Sequence, residues 1–342
     1  MKYRPFGSTG FQVSEIGFGC GDNAGLMVEG DPGERRAVVE RALAAGINYF
    51  DTSNNYGDGR SETNLGVTLK EIGAEPFIAT KVRLSTADLE DLRTGVRAEF
   101  EASLRRLQME KVDLYYLHTR VAAERRTGGG LPGGPSHISL DDLTGPIWET
   151  FLQLRHEGKT RFLGICTSGA EVPAVRAAME QLPLDVIQAQ YSLLNPTEAR
   201  TPPAGFKGPD YGQTIELAGQ KDIGVTAFRA LAAGALAQKP GAALRSTASR
   251  GNATWNADIE RAQALGFLRG PGEEKLAGGA VRYVLSNPNV SSVLLGFSKG
   301  EYVDEANAYS DAGPLPSETI GRIESLYATD FGREDRKPDS SS

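Results

Sequence analysis

Residues 112–118 read VDLYYLH and residues 290–296 read VSSVLLG, two short runs that are apolar almost throughout. A half-buried strand alternates apolar and polar residues, whereas a strand covered on both faces does not, so these runs predict a parallel sheet sandwiched by helices. Working outward, similar runs fall at 16–20, 47–51, 77–82, 161–166, 185–190 and 224–228, making eight candidate strands in all. Segments of helical period separate them. In the clearest, Leu89, Leu92, Val96, Phe100, Leu104 and Leu107 recur at steps of three and four and share one face, with Ser85 and Asp88 as a candidate capping box. Other predicted helices span 34–45, 62–72, 140–156, 174–181 and 275–286. Strand and helix in alternation fit both a doubly wound sheet and a closed (β/α)8 TIM barrel, and the eight-fold count with 342 residues favours the barrel.

No shift of composition divides the chain, so residues 1–332 read as one domain. An N-terminal hairpin is expected within 1–15, and the polar stretch 333–342 reads as a disordered tail. Insertions at 120–139, 195–208 and 232–256 each follow a candidate strand, which in a barrel sets them as extended loops on the C-terminal face. With 37 Lys and Arg against 44 Asp and Glu the net charge is −7, which argues against nucleic acid as a partner. Two cysteines form no disulfide framework, and three histidines without ligand spacing argue against a metal-dependent barrel hydrolase. No apolar leader or stretch of membrane-spanning length is present, so a cytoplasmic globular enzyme or binding protein is expected.

Barrel chemistry comes from the C-terminal ends of strands. Asp51, Lys81 and His118 end the second, third and fourth candidates, and Tyr56 lies in the loop after Asp51. A phenol beside an ammonium can exchange a proton nearer to neutral pH than alone. A carboxylate holds that ammonium, and a neutral imidazole can donate a hydrogen bond to a substrate oxygen.

The segments NYFDTSNNYGDGRSE (48–62), FIATKV (77–82) and VDLYYLH (112–118), in this order and spacing, resemble the aldo-keto reductase superfamily. The resemblance runs to about residue 312 and maps that family's catalytic tetrad onto Asp51, Tyr56, Lys81 and His118. It implies a carbonyl reductase acting on an aldehyde, ketone or sugar-like substrate with NADPH. Tyr56 would be the proton donor, Lys81 with Asp51 would lower the tyrosine pKa, and His118 would orient the carbonyl. A barrel of this kind binds its nicotinamide cofactor extended, without a Rossmann motif. The GxGxxA pattern at Gly19–Ala24 therefore reads as a tight loop after the first strand.

The resemblance also implies cofactor contacts. Cys166 and Thr167 in LGICTSG stand where the family usually has Ser-Asn, with Thr167 able to reach a carboxamide and Cys166 as a small residue beneath the cofactor. Gln188 matches the glutamine that holds the carboxamide, and Phe228 the aromatic that stacks on the nicotinamide. Arg229 is a candidate pyrophosphate contact, with Leu231, Gly234 and Leu236 in the loop that crosses it. In LLGFSKGEYVDEAN, Gly296, Ser298 and Lys299 flank the adenosine end and Glu305 matches an acid near the adenine. Lys299 on a 2′-phosphate favours NADP(H) over NAD(H). Trp255 is a candidate pocket residue and Trp148 a core one. An NAD-dependent sugar or polyol dehydrogenase running toward oxidation is the alternative, and a non-catalytic cofactor-binding regulatory subunit a third reading.

Overall fold

The computed structural model describes residues 1–126, 136–238, 252–270 and 275–333, with side chains from 255 in the third segment. Eight strands run parallel in chain order: β1 Ile16–Gly19, β2 Tyr49–Asp51, β3 Phe77–Val82, β4 Val112–Leu117, β5 Thr160–Cys166, β6 Val186–Gln190, β7 Gly224–Phe228 and β8 Ser292–Leu295. The sheet closes where β8 pairs with β1, Leu294 opposite Gly17, giving the (β/α)8 barrel expected from the apolar runs. Closure satisfies the edge hydrogen bonds that an open sheet would leave exposed.

Side-chain alternation divides the molecule into two apolar regions. Phe50, Ile78, Tyr115, Leu117 and Ile165 point outward and pack with the helices. Tyr49, Phe77, Ala79, Leu114, Tyr116, Cys166 and Val186 fill the barrel interior. Continuing that inward row by two residues along β2 and β3, and along β4, arrives at Asp51, Lys81 and His118. The register sets Asp51 opposite Ala79 and Lys81 opposite Tyr116, so the ionisable groups form the top layer of the barrel filling.

The expected hairpin is present, Tyr3–Pro5 paired with Gln12–Ser14, and it closes the opposite end. Phe6 and Val13 are buried in the interior cluster, with the Phe6 ring edge-on to Tyr49 at 5.6 Å and to Phe77 at 5.9 Å.

Helix ends depart from expectation in two places. Ser85 and Asp88 do hydrogen-bond reciprocally, but they cap only the short turn Ala87–Leu89, and the long helix Leu92–Leu107 begins three residues later. Its true cap is Asp91, whose carboxylate accepts from the Arg93 and Thr94 amides. The helix expected over 140–156 is interrupted as well. Ser139 and Asp142 form a capping box, Gly145 leaves helical geometry, and Trp148–His156 resumes after Pro146. Proline has no N–H for the preceding turn, and its ring displaces the chain.

The glycine-rich run at 127–134 and most of the tail lie outside the described residues. Arg333, at the expected start of that tail, is anchored instead by Asp330 at 3.1 Å and Glu260 at 3.2 Å. Among the described residues no helix is long and apolar enough to cross a membrane.

Phe6→Ala empties the space under the barrel without touching the mouth. It is expected to lower unfolding free energy by about 3–5 kcal/mol in a denaturant titration, as for other buried aromatic truncations, while the secondary structure measured by circular dichroism is retained.

Candidate active site

Lys81 is fully buried and Asp51 is 2% exposed. An isolated ammonium at that depth would be neutralised by desolvation, so its surroundings must supply the compensation. They do. Lys81 Nζ donates to Asp51 Oδ1 at 2.5 Å, to the Thr52 carbonyl at 2.8 Å and to Tyr56 OH at 3.3 Å, which uses all three protons. The other carboxylate oxygen, Asp51 Oδ2, accepts from Gln188 Nε2 at 2.9 Å and from Tyr49 OH at 3.3 Å. Burial works to lower the lysine pKa, but the Asp51 charge overrides it and holds the ammonium above its usual value.

The Tyr56 phenol is pushed up to about 12, because burial raises it more than Lys81 lowers it. This corrects the expectation of a phenol drawn toward neutral pH. The side chain rests as the protonated phenol, a proton donor.

His118 stands edge-on to Tyr56, ring centroids 5.8 Å apart. Burial, then the charges of Lys81, Arg83 and Arg120, drive its pKa well below the usual imidazole value, so the ring is neutral. Its Nδ1 lies 2.9 Å from Asn55 Oδ1 and 3.0 Å from Ser53 Oγ. A carbonyl oxygen only accepts, so with Asn55 in this orientation Nδ1 carries the proton and Nε2 presents a lone pair. Turning the Asn55 amide over would present its NH2 to Nδ1 and move the proton to Nε2, the tautomer that donates to a substrate oxygen.

These groups open into a cleft of about 400 Å³ at the C-terminal ends of the strands. Cys166, Gln188, Phe228, Arg229, Leu231, Gly234 and Gly296 line it, together with Gly19, Gly21, Asn23 and Ala24 from the loop after β1. Gln188 does more than the sequence indicated, since it also braces Asp51 and accepts from Cys166 Sγ at 3.5 Å. Burial pushes the Cys166 thiol up to about 12, leaving it unreactive. The loop after β7 carries Arg229, Ala232 and Ala233 at positive φ (60°, 48° and 53°), a strained course next to the cleft.

Six sequence candidates lie off the cleft wall. Thr167 donates to Glu198 Oε1 at 2.9 Å, so its hydroxyl proton is already engaged. Leu236 is buried in the apolar core. Ser298 and Lys299 are exposed just beyond Gly296, and Lys299 lies 3.8 Å from Glu301. Glu305 sits 3.8 Å from Lys275. Trp255 is buried in the core beside Gly234 and does not line the cleft.

Sequence reasoning missed Arg83, Arg120 and Ser168, all on the cleft wall. The first two lie one residue beyond β3 and two beyond His118, so the strand-end rule that picked out Asp51, Lys81 and His118 would have reached them. Glu198 carried no signal, because its partners Thr167 and Thr214 come from distant segments.

The model of the Aldo/keto reductase family matches residues 15–328, and the chain belongs to that family. It is an oxidoreductase of the aldo-keto reductase type, a class that works with a nicotinamide cofactor. L-galactose dehydrogenase of Arabidopsis thaliana is 26% identical over 95% of this chain and 94% of its own length. The uncharacterized oxidoreductase YqkF of Bacillus subtilis is 24% identical over 98% of this chain and its full length. The holo form of aldo-keto reductase AKR11C1 from Bacillus halodurans shares the fold, with TM-score 0.72 and 24% identity over 95% of this chain and 96% of that one.

Glu198 yields a stability prediction. Burial raises its pKa from 4.5 to about 7, although the hydrogen bonds from Thr214 and Thr167 oppose the shift. The folded state therefore takes up a proton, and the resulting stability is complete below about pH 4.5 and lost as pH rises through about 7. Glu198→Gln stays neutral. In urea titrations it should gain on the wild type by up to about 3 kcal/mol across that window, and show no pH-dependent difference below it.

Proposed function

We propose that this chain reduces carbonyl compounds with NADPH, Tyr56 giving the proton to the carbonyl oxygen. One observation carries the reading: the Tyr56 hydroxyl lies 3.3 Å from an ammonium that is itself locked to a buried carboxylate, at the mouth of an open cleft. The residues present suit a nicotinamide cofactor. Phe228 offers an aromatic face, Gln188 an amide, and Gly19, Gly21, Gly234 and Gly296 leave the wall free of side chains. Arg229, exposed at the cleft and without an ion-pair partner among the described residues, suits a pyrophosphate. When bound, such a cofactor supplies hydride to the carbonyl carbon.

The chain's own groups would act as follows. With the Asn55 amide turned so that its NH2 faces Nδ1, His118 carries its proton on Nε2, hydrogen-bonds the carbonyl oxygen and orients it. As negative charge develops on that oxygen, Tyr56 transfers its proton, and Lys81 at 3.3 Å stabilises the tyrosinate left behind. Asp51 keeps Lys81 in place throughout and does not exchange protons. Run backward, the same groups oxidise an alcohol. That second reading draws support from the similarity to L-galactose dehydrogenase, whereas the protonated resting state of Tyr56 supports reduction.

Tyr56→Phe removes the proton donor and little else. Its kcat should fall by roughly 10²–10⁴-fold, with cofactor affinity by fluorescence titration nearly unchanged; wild-type turnover would refute the assignment. Wild-type kcat for reduction should be flat from about pH 6 to about pH 9, since a phenol near 12 stays protonated across that range.

The preference for NADPH rests on Lys299, exposed beyond the Gly296 end of the cleft. Lys299→Ala is expected to raise KM for NADPH about tenfold and leave KM for NADH within about twofold, the difference being one charge-assisted contact. Equal effects on the two cofactors would remove Lys299 from the 2′-phosphate.

A further inference from the structure

Most arginines of the described chain are matched to a carboxylate: Arg4 to Glu15, Arg97 to Glu157, Arg125 to Asp142 and Arg261 to Asp330. Arg83 and Arg120 are not. Their side chains make no ion pair or hydrogen bond with any described residue, yet both are half-buried and both line the cleft. Among the described residues the one carboxylate on the cleft wall is Asp51, already bound to Lys81 at 2.5 Å. A chain of net charge −7 thus has a basic mouth.

The two arginines are also placed apart from the proposed cofactor wall. Arg83 follows β3 and Arg120 follows β4, neighbouring strands that lie across the closed barrel from β7 and β8, which carry Phe228, Arg229 and Gly296. They stand on the side of His118, whose pKa both of them help to depress. Burial, then the charge of Arg120, lowers the Arg83 pKa, so the two cations are held close enough to repel.

Local structure maintains this arrangement. The Arg83 amide donates to Asn54 Oδ1 at 2.9 Å and its carbonyl accepts from Asn54 Nδ2 at 3.1 Å, while Asn54 also donates to Glu99 at 2.8 Å. Gly169 leaves room for Arg120. A Cβ there would come within 2.5 Å of the Arg120 Nε, and its φ of +68° disfavours other residues in any case.

Two half-buried guanidiniums without a counter-ion among the described residues destabilise the free protein, and an anion relieves that cost. Resting on the reading of Tyr56 and His118 as the reacting site, we propose that Arg83 and Arg120 form a substrate anion subsite, selecting small carbonyl compounds that carry a carboxylate or phosphate group. A neutral aldehyde or sugar would leave both cations unpaired beside it.

The test uses matched substrates with NADPH: succinic semialdehyde against butanal, and glyceraldehyde 3-phosphate against glyceraldehyde. The wild type should favour the anionic member of at least one pair by about 100-fold in kcat/KM, and the better pair tells carboxylate from phosphate. Arg83→Gln and Arg120→Gln should each cost the anionic substrate about tenfold or more, mainly in KM, and change the neutral one less than about threefold. Arg105→Gln, on the exposed face of the Leu92–Leu107 helix, is the control and should change neither. Equal use of neutral and anionic partners, or equal losses for both in the variants, would overturn the subsite.

Calorimetric titration with the same four compounds in the presence of NADP+, where no reduction can occur, separates this proposal from the catalytic one. Anion-selective binding that is lost in Arg83→Gln, in a protein that turns over none of the four, would keep the subsite and refute the reductase reading. Binding without anion selectivity would refute the subsite whatever the turnover.

Discussion

The buried ion pair between Lys81 and Asp51 is the constraint on which the upper half of this barrel depends. A lysine with no exposed surface is tolerated only because each of its three protons has an acceptor and its charge has a partner at 2.5 Å. Such a pair adds little net stability against an apolar replacement, but breaking it strands a charge in the interior. The sheet register must therefore keep β2 and β3 aligned, since a slip of one residue would turn Asp51 or Lys81 out toward the helices. Tyr49, Gln188 and Cys166 are arranged around the same requirement, which links β2, β5 and β6 at one layer.

From that pair the electrostatics of the mouth follow. Lys81 keeps its charge, so a tyrosinate forming at Tyr56 has a cation waiting, while burial ensures that the phenol is protonated at rest. The same ammonium, with Arg83 and Arg120, keeps His118 neutral. Since Asp51 is fully engaged, the cleft presents positive potential to solvent within an acidic molecule. Potential of that kind concentrates anions at the mouth and weakens as salt is added.

Support comes from outside the cleft as well. The hairpin seals the lower end with Phe6 and Val13, so the interior is a packed column from its floor to the ionisable layer. Glu198 holds Thr167 beside Cys166 from a segment far along the chain. The Ser53–Asn55 pair sets which nitrogen of His118 bears the proton. Each of these residues acts on the site through another side chain.

Periodicity and spacing alone determined the eight strands, their parallel order and the three strand-end groups Asp51, Lys81 and His118, because side-chain direction in a strand is a local property of the backbone. Helix starts were less legible: a Ser–Asp pair at 85 and 88 bonds in the same way whether it caps a long helix or a single turn. Only the closed barrel decided that Gln188 would meet Asp51, that Arg83 and Arg120 would share a wall whose described carboxylate, Asp51, is already paired with Lys81, and that Thr167 would turn to Glu198. It also decided the sign of the tyrosine shift. Desolvation depends on everything that surrounds a group, and those neighbours arrive from strands and loops more than a hundred residues apart, which no local pattern encodes.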